Sequence, residues 1–280
     1  MLEVKINCEE TSTTYWDGQY DDSMKQYILL SQSLFAKVFR FLRKVLYKSP
    51  LESKIKKIAL NNTVKVALEA GCGTGSFVFS LTGIPTIKYC VGVDFSKSAI
   101  DIAAKRSTFH RGEVRDKASF LLSDIRKLPF KDDTFDLMLS LGVLEHFKDP
   151  SLLLAEMKRV LKPNGVLFLQ VPNRNAFGLT EERSKTAVQR TGYHDFYTPK
   201  ELSSLVSNGG FRINKAYSDD FAWGLSIWYI DFIAPNLAPH KGLLSYIHWG
   251  IGAFIYASFR PLDPFMKHRG FHAIIEAEKI

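Results

Sequence analysis

The stretch that most constrains the fold is VALEAGCGTGS, residues 66–76, in which an apolar run is followed at once by three glycines. Glycines at this spacing allow a sharp turn after a strand and let a ligand approach the main chain closely. A buried strand that ends in a glycine-rich loop and leads into a helix is typical of nucleotide-binding α/β folds. The stretch therefore predicts a ligand site at the end of the first strand.

Strands and helices alternate after this loop. Short apolar runs predict strands at residues 64–68, 89–93, 119–122, 135–140 and 166–171. A helix is predicted over residues 96–108, and another begins after Asp149, which we expect as its N-cap with Pro150 at the first helical position. This alternation predicts a doubly wound α/β fold, with a parallel sheet covered by helices on both faces.

The residues around the loop narrow the choice of ligand. Asp94, in VGVDFS, stands at the end of the second strand, where an acid can accept both ribose hydroxyls. A dinucleotide is one candidate, but its fingerprint expects a third small residue where Ser76 stands, while the glycines fall at Gly71, Gly73 and Gly75. A Walker loop is excluded because no Gly-Lys-Ser/Thr follows.

The segment from Glu69 to Gly75 resembles motif I of the class I S-adenosylmethionine-dependent methyltransferases. Three later segments resemble further motifs of this family: LLSDIRKLPFKDDTFDLMLSLGVLEHFKDP, RVLKPNGVLFLQVPN and HDFYTPKELSSLVSNGGFRINKAY. The resemblance runs over residues 64–217. It implies a Rossmann-like, mostly parallel seven-stranded sheet with an antiparallel last strand, and S-adenosylmethionine as cofactor.

The resemblance also implies cofactor-binding roles. Glu69 would meet the methionine ammonium, Asp94 would accept the two ribose hydroxyls, and Asp124 would accept from the adenine amino group. Phe95 would lie against the adenine face and the Ile125 amide would donate to a ring nitrogen. The full set is Glu69, Gly71, Gly73, Gly75, Asp94, Phe95, Asp124, Ile125, Ser140 and Leu141.

Candidates for the chemistry are fewer. Methyl transfer from a sulfonium needs mainly alignment and exclusion of water, and a base only where the acceptor must lose a proton. His146, in LEHF after the fourth strand, is a candidate base or acceptor-orienting residue, with a packing role as the alternative. Tyr193 and His194, in the loop after the fifth strand, are further candidates. Tyr15 or Trp16 would cover the cofactor.

The chain divides into four predicted parts. They are an N-terminal cofactor-covering segment with a basic amphipathic helix (residues 1–62), the core (63–217), an aromatic helical insertion between strands six and seven (218–270) and the last strand (271–280). The basic helix, over residues 27–47, is either a solvated helix face or a surface for anionic lipid headgroups; nucleic acid is disfavoured. Neither an Asn-Pro-Pro-Tyr nor a Pro-Cys motif for nucleobase acceptors is present.

The insertion contains two apolar segments, at residues 221–234 and 242–259. The second carries no charged residue, but a single membrane span is excluded because both flanking strands would belong to one sheet. A cap over the acceptor, a dimer face and a lipid-facing hairpin remain as alternatives. Asp231 in the first segment disfavours deep insertion.

These patterns together predict a methyltransferase acting on a small, hydrophobic or lipid-like acceptor. The alternatives are a methyltransferase of soluble sugars or other polar metabolites, and a non-catalytic cofactor-binding partner protein. Three widely spaced cysteines form neither a metal-ligand pattern nor a disulfide framework, and the N-terminus lacks an apolar signal. We expect a cytoplasmic protein without a bound metal, with peripheral contact to an anionic membrane left open.

Overall fold

The computed structural model describes residues 16–20, 50–110, 112–177, 179, 195–228, 251–252, 254–263, 265–266 and 269–280. The predicted basic helix at residues 27–47, about half of the insertion (residues 229–250, 253, 264, 267 and 268), and Tyr15, Tyr193 and His194 lie outside these residues.

Seven strands form one sheet. They are β1 (Val66–Ala70), β2 (Tyr89–Asp94), β3 (Ala118–Leu122), β4 (Phe135–Leu141), β5 (Leu161–Pro172), β6 (Phe211–Asp219) and β7 (His272–Lys279). Their order across the sheet is β3-β2-β1-β4-β5-β7-β6. Strands β1 to β5 pair in parallel, whereas β7 is antiparallel to both β5 and β6. The prediction of a mostly parallel seven-stranded Rossmann-like sheet with an antiparallel last strand is confirmed.

One helix precedes β1, and the others lie between the strands in the chain. The helices are α1 (Pro50–Asn61), α2 (Ser76–Thr82), α3 (Lys97–Ser107), α4 (Glu113–Asp116), α5 (Ser151–Val160), α6 (Pro199–Asn208) and α7 (Phe221–Trp228). Helix α6 begins with a capping box, in which Thr198 and Glu201 each bind the other's backbone amide. Residues 16–20 form a further helical turn.

The two faces of the sheet carry separate hydrophobic clusters, because successive side chains of a strand point to opposite faces. Leu68 of β1 packs on the face covered by α5 and α6, together with Met157 and Leu202. Its neighbour Ala67 packs on the opposite face, with Ile55 of α1 and with Val78 and Leu81 of α2. Strand β1 is therefore buried on both faces, which holds the loop that follows it.

Two sequence-based boundaries differ from the structure. The N-cap of α5 is Pro150 rather than Asp149, since the Leu154 amide donates to the Pro150 carbonyl and the helix begins at Ser151. Asp149 instead accepts from the Ser151 amide at 2.9 Å, a short side-chain turn just outside the helix. Strand β5 begins at Leu161, before the predicted residue 166, and its register against β4 shifts between Phe135 and Leu137.

The parallel arrangement determines where a ligand can bind. Strands β1, β2 and β4 end at one edge of the sheet, in the order β2-β1-β4. Because β7 runs antiparallel to both of its neighbours, β6 runs in the same direction as β5 and also ends at this edge.

Within the part of the chain that the structure describes, every helix is too short or too polar to cross a bilayer.

Candidate functional site

A cavity opens at this edge of the sheet, where open α/β sheets bind ligands. It lies between the glycine loop after β1, the ends of β2 and β4, and the helical turn at residues 16–20. Its lining residues are Trp16, Tyr20, Gly71, Asp94, Phe95, Asp124, Ile125, Leu141, Gly142, Val143, His146 and Phe147.

The glycine loop is held in a conformation that requires glycine. Gly71, Gly73 and Gly75 all have positive φ angles, of 74°, 50° and 77°. A Cβ on Gly71 would lie 2.3 Å from a methyl carbon of Val143, and one on Gly75 would lie 2.4 Å from the Phe120 ring. The loop therefore keeps its main chain bare at the floor of the cavity, although among the three glycines only Gly71 lines it.

Asp94 lies at the end of β2 and is almost fully buried. Its Oδ2 accepts from the Gly73 amide at 2.8 Å and its Oδ1 from the Ser96 amide at 2.9 Å. Burial raises the pKa of Asp94, and these amides oppose that rise. Two backbone donors thus orient both carboxylate oxygens while the residue lines the cavity.

Glu69 is placed differently from Asp94. It lies within β1, is buried, and its Oε2 accepts from the Val78 amide at 3.1 Å. Burial raises the pKa of Glu69 to about 8, against the effect of that amide. Glu69 does not line the cavity and ties the strand to the first turn of α2.

Asp124 and Ile125 lie on the adjoining wall of the cavity, after β3. Asp124 Oδ1 accepts from the Arg126 amide at 2.9 Å, and its Oδ2 lies 2.7 Å from the Arg126 guanidinium. This pair fixes the carboxylate plane beside Ile125, which is buried. Arg126 also lies over the ring of Phe147, another cavity residue.

The end of β4 supplies an apolar side of the cavity, formed by Leu141, Val143 and Phe147. Ser140, immediately before Leu141, is fully buried and does not line the cavity. Within the described residues the Ser140 hydroxyl has no hydrogen-bond partner.

His146 lies at the mouth of this apolar side, in a short helical turn after β4. Its exposed fraction is 8%, and its ring meets the Trp16 ring edge to face with centroids 5.3 Å apart. Of the three candidate catalytic residues, it is the one among the described residues, and the structure brings it into the cavity.

The helical turn at residues 16–20 covers the cavity. Asp17 Oδ1 accepts from the Ser96 hydroxyl at 2.5 Å and from the Ser98 amide at 3.2 Å, which anchors the turn to the start of α3. A Cβ on Gly73 would lie 2.8 Å from the Tyr20 hydroxyl, so the phenol packs directly on the glycine loop. Burial and the nearby Asp94 raise the pKa of Tyr20.

Sequence reasoning missed four residues that line the cavity, Tyr20, Gly142, Val143 and Phe147, and two acids beside it, Asp17 and Glu145. The acidic and aromatic run YWDGQYDD marked the covering segment but not which side chains anchor it. Glu145 is 2% exposed, and burial raises its pKa to about 8. Its Oε2 has no hydrogen-bond partner within the described residues, and its carbonyl accepts from the Asp195 amide at 2.8 Å.

The arrangement has three chemical parts. A carboxylate oriented by amides lies at one end, a bare backbone loop lies on the floor, and an apolar wall with a histidine lies at the other end. Such a cavity suits a ligand with a ribose at one end, and its apolar side excludes water from a reacting centre at the other.

Comparisons with known proteins agree with this geometry. The family model described as "Methyltransferase domain" matches residues 68–169, from β1 into β5. An uncharacterized protein of Methanocaldococcus jannaschii is 31% identical over 61% of this chain and 75% of that protein. The ubiquinone biosynthesis O-methyltransferase of Coxiella burnetii is 29% identical over 53% of this chain and 64% of that enzyme.

A solved structure agrees over almost the whole chain. It is the Thermotoga maritima SAM-dependent methyltransferase described as a possible histamine N-methyltransferase, with a TM-score of 0.59 and 20% identity. The match covers 96% of this chain and 100% of that one, and at this identity it shows the shared fold. The chain therefore belongs to the class I S-adenosylmethionine-dependent methyltransferases, and S-adenosylmethionine is its cofactor.

Proposed function

We propose that this methyltransferase acts on a small hydrophobic or lipid-like acceptor that enters beside the end of β4. The observation that carries the proposal is the exposed apolar surface of the segment between α7 and β7. Phe254 is 71% exposed and Phe265 is 78% exposed. Ile251, Phe259 and Leu262 in the same segment are also exposed. Several large apolar side chains exposed in one segment favour contact with an apolar ligand, lipid or partner.

The wall of the cavity supports the same acceptor class. Leu141, Val143 and Phe147 form its side next to His146, and Trp16 closes it from above. An apolar acceptor gains free energy when it buries its surface here, at about 25 cal/mol per Å². The relative from Coxiella burnetii is named for ubiquinone biosynthesis, which is consistent with a lipid-like acceptor.

The cofactor would bind with its ribose at Asp94. In this arrangement the carboxylate oxygens, each already oriented by an amide, accept from the two ribose hydroxyls. Phe95 and Ile125 would hold the adenine, with Asp124 accepting from its amino group. The methionine moiety would lie over Gly71, near the end of β4.

Four of the expected cofactor residues would act from behind the cavity. Gly73 and Gly75 shape the loop, Glu69 anchors it to α2, and Ser140 positions the end of β4. Their roles are to hold the residues that touch the cofactor, since they do not line the cavity.

His146 would orient the acceptor or take its proton. It lies on the apolar side of the cavity, away from the Asp94 end. The methyl group would leave the cofactor on this apolar side. A histidine can serve as a base near neutral pH because its ordinary pKa is about 6.5. Tyr193 and His194 remain proposed acceptor-side residues.

The exposed phenylalanines would also bring the protein to a membrane surface as a peripheral protein. Arg260 follows Phe259 directly, and a cation beside aromatic residues suits the region of anionic headgroups. In this arrangement, a lipid-like acceptor reaches the cavity without crossing water.

The test is incorporation of labelled methyl groups from S-adenosylmethionine into two separated pools, a lipid extract and an aqueous metabolite extract. We expect label in the lipid pool, and at least tenfold less label with the Asp94→Ala variant at a subsaturating cofactor concentration, which controls for contaminating enzymes. Label found in the aqueous pool alone would contradict the proposal and support a polar acceptor.

A further inference from the structure

We propose that Asp219, Asp220 and Asp263 form a binding site for a hard divalent cation, of the Mg²⁺, Mn²⁺ or Ca²⁺ class. Each of the three residues offers a ligand atom, and these atoms lie within 4.8 Å of one another. Asp219 is the last residue of β6, Asp220 immediately precedes α7, and Asp263 follows a short turn at Arg260–Leu262. The site therefore joins the two ends of the insertion.

Each carboxylate is held through one oxygen. Lys54 pairs with Asp219 Oδ2, His272 Nδ1 lies 3.3 Å from Asp220 Oδ2, and the Ala222 amide donates to Asp263 Oδ1 at 2.9 Å. Within the described residues, no side chain or amide occupies the second oxygen of any of the three. Three carboxylates oriented by outer partners, each with a free oxygen, match the way proteins prepare metal ligands.

The free oxygen of Asp220 is the observation that points to a ligand. Asp220 is only 6% exposed, and its Oδ1 is buried without a hydrogen-bond partner. A buried polar atom without a partner costs on the order of 1–3 kcal/mol, and more where it is charged. A bound cation would satisfy this oxygen, which the neighbouring Lys54 and His272 leave without a partner.

The local charge also favours a cation. Lys54 balances one of the three carboxylates, and Arg260 stacks over the Tyr256 ring, with its guanidinium carbon 5.8 Å from the centroid. The cluster therefore keeps an excess of negative charge beside the buried Asp220.

The donor atoms set the class of ion. A set of carboxylate oxygens suits hard cations such as Mg²⁺, Mn²⁺ and Ca²⁺, whereas Zn²⁺ favours sulfur and nitrogen ligands. Three protein oxygens leave further positions for water. Asp219 and Asp220 are adjacent in the sequence, but Asp263 comes more than 40 residues later, so their spacing resembles no metal-binding motif and the fold brings Asp263 to the other two.

The consequence is that the cation would pin the base of the insertion. Asp219 and Asp220 belong to its start and Asp263 lies close to its end, so one ion would add a second link between segments that the Ala222–Asp263 hydrogen bond already joins. The inference does not rest on the acceptor, since none of the three aspartates lines the cofactor cavity.

The experiment is a titration of the metal-free full-length protein with Mn²⁺, in which electron paramagnetic resonance measures the concentration of the unbound ion at each step. We expect one saturable site, competed by Mg²⁺ or Ca²⁺ and unaffected by saturating S-adenosylhomocysteine. Asp263→Asn should weaken Mn²⁺ binding by about tenfold or more, the equivalent of roughly 1.4 kcal/mol. Asp116→Asn, at an exposed acid on α4, is the matched control and should leave binding unchanged.

Cofactor binding reports whether each variant is folded. If Asp263→Asn fails to bind S-adenosylhomocysteine, Asp219→Asn, at the end of a paired strand, replaces it in the same titration. Absence of saturable binding by the wild-type protein up to about 1 mM, the upper end of the range of specific sites, would overturn the proposal. Equal weakening by Asp116→Asn would overturn it as well.

Discussion

The cofactor cavity and the cluster of Asp219, Asp220 and Asp263 at the end of β6 are built in opposite ways. In the cofactor cavity, Asp94 is held by main-chain amides, those of Gly73 and Ser96. At the end of β6, Asp219 and Asp220 are held by the side chains of Lys54 and His272, which come from distant parts of the chain. The first arrangement uses the loops that follow β1 and β2, and it suits a cofactor common to many enzymes. The second depends on how this particular insertion packs.

The same contrast separates binding from chemistry. The Asp94 end of the cavity offers polar contacts that fit a ribose, whereas the β4 end offers apolar side chains and His146. If the two ends act separately, substitutions at the β4 end should change turnover, and substitutions at the Asp94 end should change cofactor affinity.

The largest expected effect is on turnover, from His146→Ala. Loss of a general base typically lowers turnover by about 10²–10⁴, while affinity for S-adenosylmethionine should stay nearly unchanged. Steady-state kinetics with the identified acceptor, together with calorimetry for the cofactor, measures both. The control is His110→Ala, since His110 stacks on Phe79 and does not line the cavity. Turnover near the wild-type level would remove His146 from the chemistry, and a variant that unfolds would indicate a packing role.

Asp94→Ala should affect binding in the complementary way. Hydrogen bonds to a charged group contribute roughly 1.5–3 kcal/mol each, so losing two should weaken cofactor binding at least tenfold. Isothermal titration with S-adenosylhomocysteine measures the change. Asp101→Ala, at an exposed acid on α3 paired with Lys97, is the control and should bind normally. Unchanged affinity in Asp94→Ala, or binding of NAD by the wild-type protein, would contradict the assignment of the ribose contact.

The two regions also differ in how far the sequence predicted them. The glycine loop, Asp94 and the alternating strands were predictable because each is marked by a pattern within a short segment: an apolar run, its loop and the residues that follow. The strand pairing across the insertion was predicted too, as β6 and β7 are antiparallel neighbours. The roles proposed for individual cofactor residues stay predictions.

What sequence reasoning missed depends on long-range contacts. Asp17 anchors the covering turn through Ser96 and Ser98, and no spacing rule connects these positions. Glu145 looked like an ordinary part of LEHF, since burial of a carboxyl depends on neighbours that a linear pattern does not contain. The N-cap of α5 was misplaced by one residue because Asp149 can bind a nearby amide from outside the helix as well as from its cap.

A smaller effect is expected from the exposed aromatic surface. The double variant Phe254→Ser, Phe265→Ser should weaken binding to anionic vesicles by about tenfold, since each partly inserted ring contributes roughly 0.7 kcal/mol. Flotation with vesicles at low and high salt measures it, and the charge-dependent part should fall as salt rises. The control Phe109→Ser removes a ring that is exposed outside the insertion. Equal loss in the control, or no vesicle binding by the wild-type protein, would contradict peripheral association.

The smallest expected effect concerns Glu145, at the joint between the β4 loop and the segment that begins at Asp195. Burial raises the pKa of Glu145 to about 8, so the folded protein holds a proton there that the unfolded chain releases near pH 4.5. The folded state therefore binds more protons between these values, and its stability falls as pH rises from about 4.5 to 8. Replacing the Glu145 carboxyl with an amide, which does not titrate, removes this loss of stability.

Glu145→Gln should accordingly raise the free energy of unfolding at pH 8 by on the order of 1 kcal/mol and flatten its dependence on pH. Urea denaturation of both proteins at pH 5 and pH 8 measures the effect, and the difference should shrink at pH 5. Glu113→Gln is the control, because Glu113 is exposed and Lys117 lowers its pKa, so this change should bring no gain at pH 8. A variant less stable than wild type at pH 8 would mean that Glu145 is ionised in the folded protein.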